Sequence, residues 1–195
     1  MTESKTWKPL ALMLCLGLLW IAAMTRLIPT EYRAFNFTAI GAVAMFAAAR
    51  IGLWQSLLIT FTAMLTSGIV LWWQNDFHEH YEPFPSTYLG LACYSLIAWL
   101  FLRNSENPVR IGAVALLGSW WFFLVTNAFS WVSPMHNYER NFMGLVDCYT
   151  MALPFYRTTL AGDMIFTGVL FGLHALLSRA YFPAERVALI PVQDS

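Results

Sequence analysis

Long apolar runs separated by short polar connectors dominate this chain. Five of them, Pro9–Ile28, Leu53–Trp73, Ser86–Leu102, Gly112–Val132 and Thr158–Tyr181, have the length of membrane-crossing helices, because about 20 residues of helix cover a hydrocarbon core about 30 Å thick. Backbone polar groups in hydrocarbon have to be satisfied within the segment, which favours whole helices. A sixth run, Phe37–Arg50, is shorter and rich in small residues (FTAIGAVAMFAAA). Its composition predicts a tightly packed or partly re-entrant helix.

One stretch departs from the pattern. In GLVDCYTMALPFYRTTLAGD, residues 144–163, the side chains of Asp147, Pro154, Arg157 and Asp163 interrupt an otherwise apolar segment. Gly144 to Phe155 is too short to cross and contains Asp147. The expectation is a short amphipathic helix on the outer face, broken near Pro154 and turned at Arg157 into the last span.

Basic residues test that layout, since they concentrate on the cytoplasmic side. With six spans and both termini inside, Lys5, Lys8, Arg50, Arg103, Arg110, Arg179 and Arg186 are cytoplasmic, and Arg26, Arg33, Arg140 and Arg157 are outside, seven against four. A crossing at residues 143–156 would leave six against five. The first run ends without a signal-peptidase site and reads as an uncleaved span anchored by Lys5 and Lys8. The reading is an all-α integral membrane protein, with about six transmembrane helices plus a short outer-face amphipathic helix. Residues 1–195 are taken as one polytopic domain in the inner (plasma) membrane.

Composition agrees and excludes other classes. Of the 195 residues 58% are hydrophobic and only 11% charged, well under the quarter or so typical of soluble domains. Net charge is zero, so the basic surface that nucleic acid requires is missing. The three cysteines, Cys15, Cys93 and Cys148, are far apart and read as small apolar packers rather than metal ligands or a disulfide framework.

Candidate chemistry gathers at the outer end. Thr159, Asp163, Thr167, His174 and Ser178 recur at helical spacing in the last span, and ionisable groups in a membrane usually face a bundle interior or an aqueous cavity. Asp163 reads either as an ion-pair partner of Arg157 or as a ligand contact, and His174 as an interhelical hydrogen-bonding group. Ser119, Phe123, Asn127 and Ser130 form a second stripe, serving helix association or substrate binding. Aromatics such as Trp131, Tyr138, Tyr149 and Tyr156 suit an interfacial belt or stacking on a planar ligand. Asn36, Asn127, Trp131, Tyr149, Tyr156, Arg157 and Asp163 are the expected ligand-binding set. His78 and His80 lie in an acidic loop without a third ligand at defined spacing, so no metal is expected. No Walker A, GxSxG or HExxH motif occurs, and no cofactor and no autonomous enzyme activity are expected.

Three segments, RLIP…NFTAIGAVAMFAAAR, GSWWFFLVTNAFSWV and GLVDCYTMALPFYRTTLAGDMIFTGVLFG, resemble a family of small, uncharacterised bacterial membrane proteins. The likeness runs from about Arg26 to Leu173. That family is similar to the substrate-binding (S) components of energy-coupling factor transporters. The resemblance implies a subunit that captures a vitamin-like micronutrient at the outer face, with a membrane coupling subunit and two cytoplasmic ATPases as partners. It also implies helix docking through small residues, for which Ala44 and Ala48 have suitable spacing, while the same spacing equally serves ordinary packing within the chain. The competing expectation is a structural or accessory subunit of a larger respiratory or photosynthetic membrane complex.

Overall fold

The computed structural model describes residues 8–27, 37–74, 85–103, 105–134, 138–183 and 185. Among these residues six helices form: α1 (Pro9–Leu27), α2 (Ile40–Arg50), α3 (Leu53–Gln74), α4 (Pro85–Leu102), α5 (Pro108–Val132) and α6 (Phe142–Ala180). Four stretches among the described residues, Leu53–Trp73, Pro85–Leu102, Pro108–Val132 and Phe142–Ala180, are long and apolar enough to cross a membrane. Large apolar side chains such as Trp54, Leu58, Trp73 and Leu100 are exposed on them, a surface that lipid would cover and water would not tolerate.

The helix starts follow local chemistry. Pro108 opens α5 behind Asn107, whose side-chain oxygen accepts from the Val109 and Arg110 amides. Asn141 likewise caps α6 at the Gly144 amide, meeting donors that have no intrahelical partner. The start of α1 is capped from the other end of the chain. The Glu185 carboxylate accepts from the Leu10 amide at 2.7 Å and the Ala11 amide at 3.2 Å, across 175 and 174 positions.

The short helix α2 is the centre of the bundle. All eleven of its residues are buried, and it touches each of the other five helices. Alanine and glycine allow this close approach. Ser56 of α3 donates to the Ala44 carbonyl at 2.7 Å and shares a 2.8 Å hydroxyl contact with Ser95 of α4. Ala44 and Ala48 are therefore consumed by packing within the chain, being 0% and 1% exposed. Of the two readings of their spacing, packing within the chain is the one this burial matches.

Eleven residues of helix extend only about 16 Å, half of what a bilayer core requires. One end of α2 is fixed by Arg50, which donates to the Leu102 carbonyl at 3.0 Å and the Ser105 carbonyl at 2.7 Å. Leu102 is the last residue of α4 and Ser105 lies in the connection after it, and a guanidinium there suits the negative end of that helix. The other end, at Gly41, lies against Tyr94 and Asp163, midway along α4. In the half of the bundle that holds Arg50 the centre is helix; in the other half it is not.

A correction concerns residues 144–163. They form no separate short helix: α6 is continuous for 39 residues with Pro154 inside it. Asp147, Pro154 and Arg157 are all exposed, so each sits on the outward surface of α6 and none forces a break. Proline removes one backbone rung, the one to the Thr150 carbonyl, and the helix runs on through it. At about 1.5 Å per residue, α6 is roughly 58 Å long, well over the thickness of a hydrocarbon core.

Candidate functional site

Because α2 stops halfway, the other half of the bundle encloses a cavity of about 540 Å³. Its floor is the N-terminus of α2, with Thr38, Ile40 and Gly41. Met64 and Leu71 come from α3, and Thr87, Leu91 and Tyr94 from α4. Helix α5 contributes Phe122, Phe123, Thr126, Asn127 and Ser130, and α6 contributes Cys148, Met151, Tyr156, Thr159 and Asp163 among others.

At the floor, Tyr94 donates its hydroxyl to Oδ2 of Asp163. Both residues are nearly sealed from the surface, at 2% and 3% exposure. The Ser119 hydroxyl lies beside the same pair. Glycine makes this arrangement possible. A Cβ on Gly118 would fall 2.7 Å from two ring carbons of Tyr94, and one on Gly41 would collide with Oδ1 of Asp163. The Cδ1–Cε1 edge of Tyr94 thus lies against the Gly118 backbone, and the Asp163 carboxylate abuts the first turn of α2. Negative charge is favoured at the N-terminus of a helix.

Aromatic rings continue upward from this floor. Tyr94 and Phe122 have centroids 5.9 Å apart, and Phe123 and Tyr156 are 4.7 Å apart. Asn127, also in the lining, spends one amide N–H on the Phe123 carbonyl at 2.8 Å, which leaves a second N–H and the side-chain oxygen. No Lys, Arg or His is among the described lining residues.

The expected site residues divide. Asn127, Tyr156 and Asp163 meet in the cavity. Tyr149 instead donates to the Leu124 carbonyl at 2.7 Å, binding α6 to α5. Trp131 donates to the Glu139 carbonyl at 2.9 Å and holds the α5–α6 connection, helped by Arg140 on the Trp131 carbonyl. Arg157 is exposed on the face of α6 away from Asp163, and six positions along a helix turn a side chain by about 240°, so the expected ion pair does not form. Asn36 and the loop carrying His78 and His80 lie outside the described residues. Tyr94 went unrecognised because α4 shows no marked polar stripe, and its seat against Gly118 exists only in the packing of α4 on α5.

The polar face of α6 is inward, as its spacing requires: Asp163, Thr167, His174 and Ser178 are buried and Thr159 is half-buried. His174 does not serve the cavity. Its Nε2 lies 3.4 Å from Glu185, and its ring meets Phe46 edge-on. Arg50 lies nearby, over the Phe171 ring at 4.8 Å. Just before α1, Lys8 is half-buried; burial and the nearby Arg50 lower its pKa, and Glu185 partly offsets them. This end of the molecule is a polar lock, whereas the opposite end holds the cavity.

A family of unknown function, DUF6580, matches residues 6–187. No curated protein and no solved structure matches the chain.

Proposed function

The chain belongs to the DUF6580 family, and we propose that it is a membrane-embedded solute-binding subunit. The cavity above α2 carries this reading. Its volume, about 540 Å³, falls within the 300–1,000 Å³ of small-molecule sites, which are mostly apolar with a few convergent polar groups. Rings and aliphatic side chains here surround Asp163, Asn127, Thr126 and Thr159.

The proposed orientation follows the basic residues. Lys8, Arg50, Arg103 and Arg110 gather near the start of α1 and the α4–α5 turn, the end away from the cavity, and the positive-inside rule assigns such an end to the cytoplasm. Six passages with both termini cytoplasmic then leave the cavity accessible from outside. In this reading solute is captured from the outer side. Onward transport would rely on a coupling subunit and ATPases, as the resemblance to S components implies. A partner helix would have to dock elsewhere than on Ala44 and Ala48.

The test is native mass spectrometry of the full chain released from its own membranes, alongside Thr126→Trp, which puts an indole ring into the cavity beside Asn127. A small molecule retained by the wild type and lost from Thr126→Trp supports the proposal. Wild-type protein that carries no small molecule, combined with stable co-migration in a large redox complex on native gels, would favour a structural subunit instead.

A further inference from the structure

We infer that the cavity selects planar cations, with Asp163 as the group that receives the ligand's N–H donors. The inference rests on the solute-binding reading above and gives that site its ligand class. Asp163 is the one acidic residue among the described lining, and no basic residue there opposes it. Its carboxylate is buried at 3% exposure in a bundle of apolar helices. A charge in that setting is costly unless paired.

Tyr94 meets only part of the need. A carboxylate offers about four acceptor sites on its two oxygens; the Tyr94 hydroxyl occupies one on Oδ2, and the neutral Ser119 hydroxyl beside it can take at most one more. The rest of the described lining supplies hydroxyls, an amide and rings, none of them cationic. A ligand bearing positive charge would complete the set.

Ring shape follows from the walls. The Tyr94–Phe122 and Phe123–Tyr156 pairs stand over the floor, with centroid separations of 5.9 and 4.7 Å. Aromatic faces attract cations and stack on flat rings. The same faces and the Asp163 charge disfavour a carboxylate or phosphate ligand. An amidinium or aminopyridinium-like ring, donating two N–H groups to a carboxylate, has the required chemistry.

Three isosteric probes decide the matter: benzamidine, benzamide and benzoate, which share one ring and differ in charge. Binding is measured by calorimetry to the full chain in lipid nanodiscs. Benzamidine is expected to bind at least about tenfold tighter than benzamide, with benzoate the weakest. Asp163→Asn should bring benzamidine and benzamide within about threefold of one another. The wild-type series stands on its own if that variant fails to fold, and Thr126→Trp should abolish benzamidine binding if the cavity is where it binds. Equal affinities, or a preference for benzoate, overturn the cation assignment and leave the solute-binding reading intact. Failure of all three probes also overturns it, and the mass-spectrometric test then decides the fate of the solute-binding reading separately.

Discussion

Replacing Gly118 by alanine should destabilise the protein, although alanine is the better helix former. The added Cβ would stand 2.7 Å from Cδ1 and Cε1 of Tyr94, about 0.7 Å short of ordinary contact. The ring has little room to retreat. It is 2% exposed, its Cζ is backed by Gly41, and its hydroxyl is tied to Asp163. Overpacking of a rigid site costs about 1–3 kcal/mol, and the Gly-to-Ala gain in helix propensity returns up to about 1 kcal/mol. A net loss of about 1–2 kcal/mol follows, a factor of roughly 5–30 in the folding equilibrium. Gly168 and Gly172 provide the control within α6, because a Cβ at either meets nothing within 4 Å. Unfolding of the three variants in mixed micelles, titrated with sodium dodecyl sulfate, gives the comparison. If Gly118→Ala is as stable as Gly168→Ala, the close seating of Tyr94 is wrong, and with it the account of how Asp163 is held.

Three further outcomes follow from the packing. Glu185→Gln removes the charge at the start of α1 and the partner of His174; a loss of about 1–2 kcal/mol is expected, seen as faster hydrogen exchange at the Leu10 and Ala11 amides, and unchanged exchange there would discount the long-range cap. Arg50→Met leaves the Leu102 and Ser105 carbonyls without their donor, at about 1.5–3 kcal/mol for each charge-assisted bond. Arg50→Lys should restore only part of the thermal stability in detergent, since one ammonium lacks the forked geometry; full restoration would show that charge alone matters. Pro154→Ala returns a backbone rung to a helix that continues through residue 154, so the melting temperature should rise modestly, whereas a fall would indicate a break that the proline serves.

Much of the fold is legible along the chain because lipid-crossing helices announce themselves by length and hydropathy alone. The expected runs Leu53–Trp73 and Ser86–Leu102 differ from α3 and α4 by one residue at one end. The inward stripe of α6 is equally readable, since a 3.6-residue period is a property of the sequence. Residues 144–163 were harder. Charge and proline in an apolar segment look like a boundary, yet each of those groups except Asp163 faces outward from one continuous helix, and outward direction depends on what packs behind.

The site was legible where a polar residue stood out against its own helix, as Asn127 and Asp163 do, and at Tyr156 among the outer aromatics. Tyr94 looked like any aromatic in an apolar helix, and its importance comes from Gly41 and Gly118, which are distant in the chain and adjacent in space. By itself the sequence determined apolar helices of membrane-crossing length, their approximate ends, and the polar face of the last one, all of which are local properties of a chain that cannot leave its backbone unpaired in lipid. Tertiary structure decided that the small-residue helix α2 is enclosed on all sides, that it ends halfway through the bundle, and that the space beyond its first turn is a cavity floored by a buried carboxylate. Those outcomes depend on which surfaces of six helices fill one another, and no single stretch of sequence carries that information.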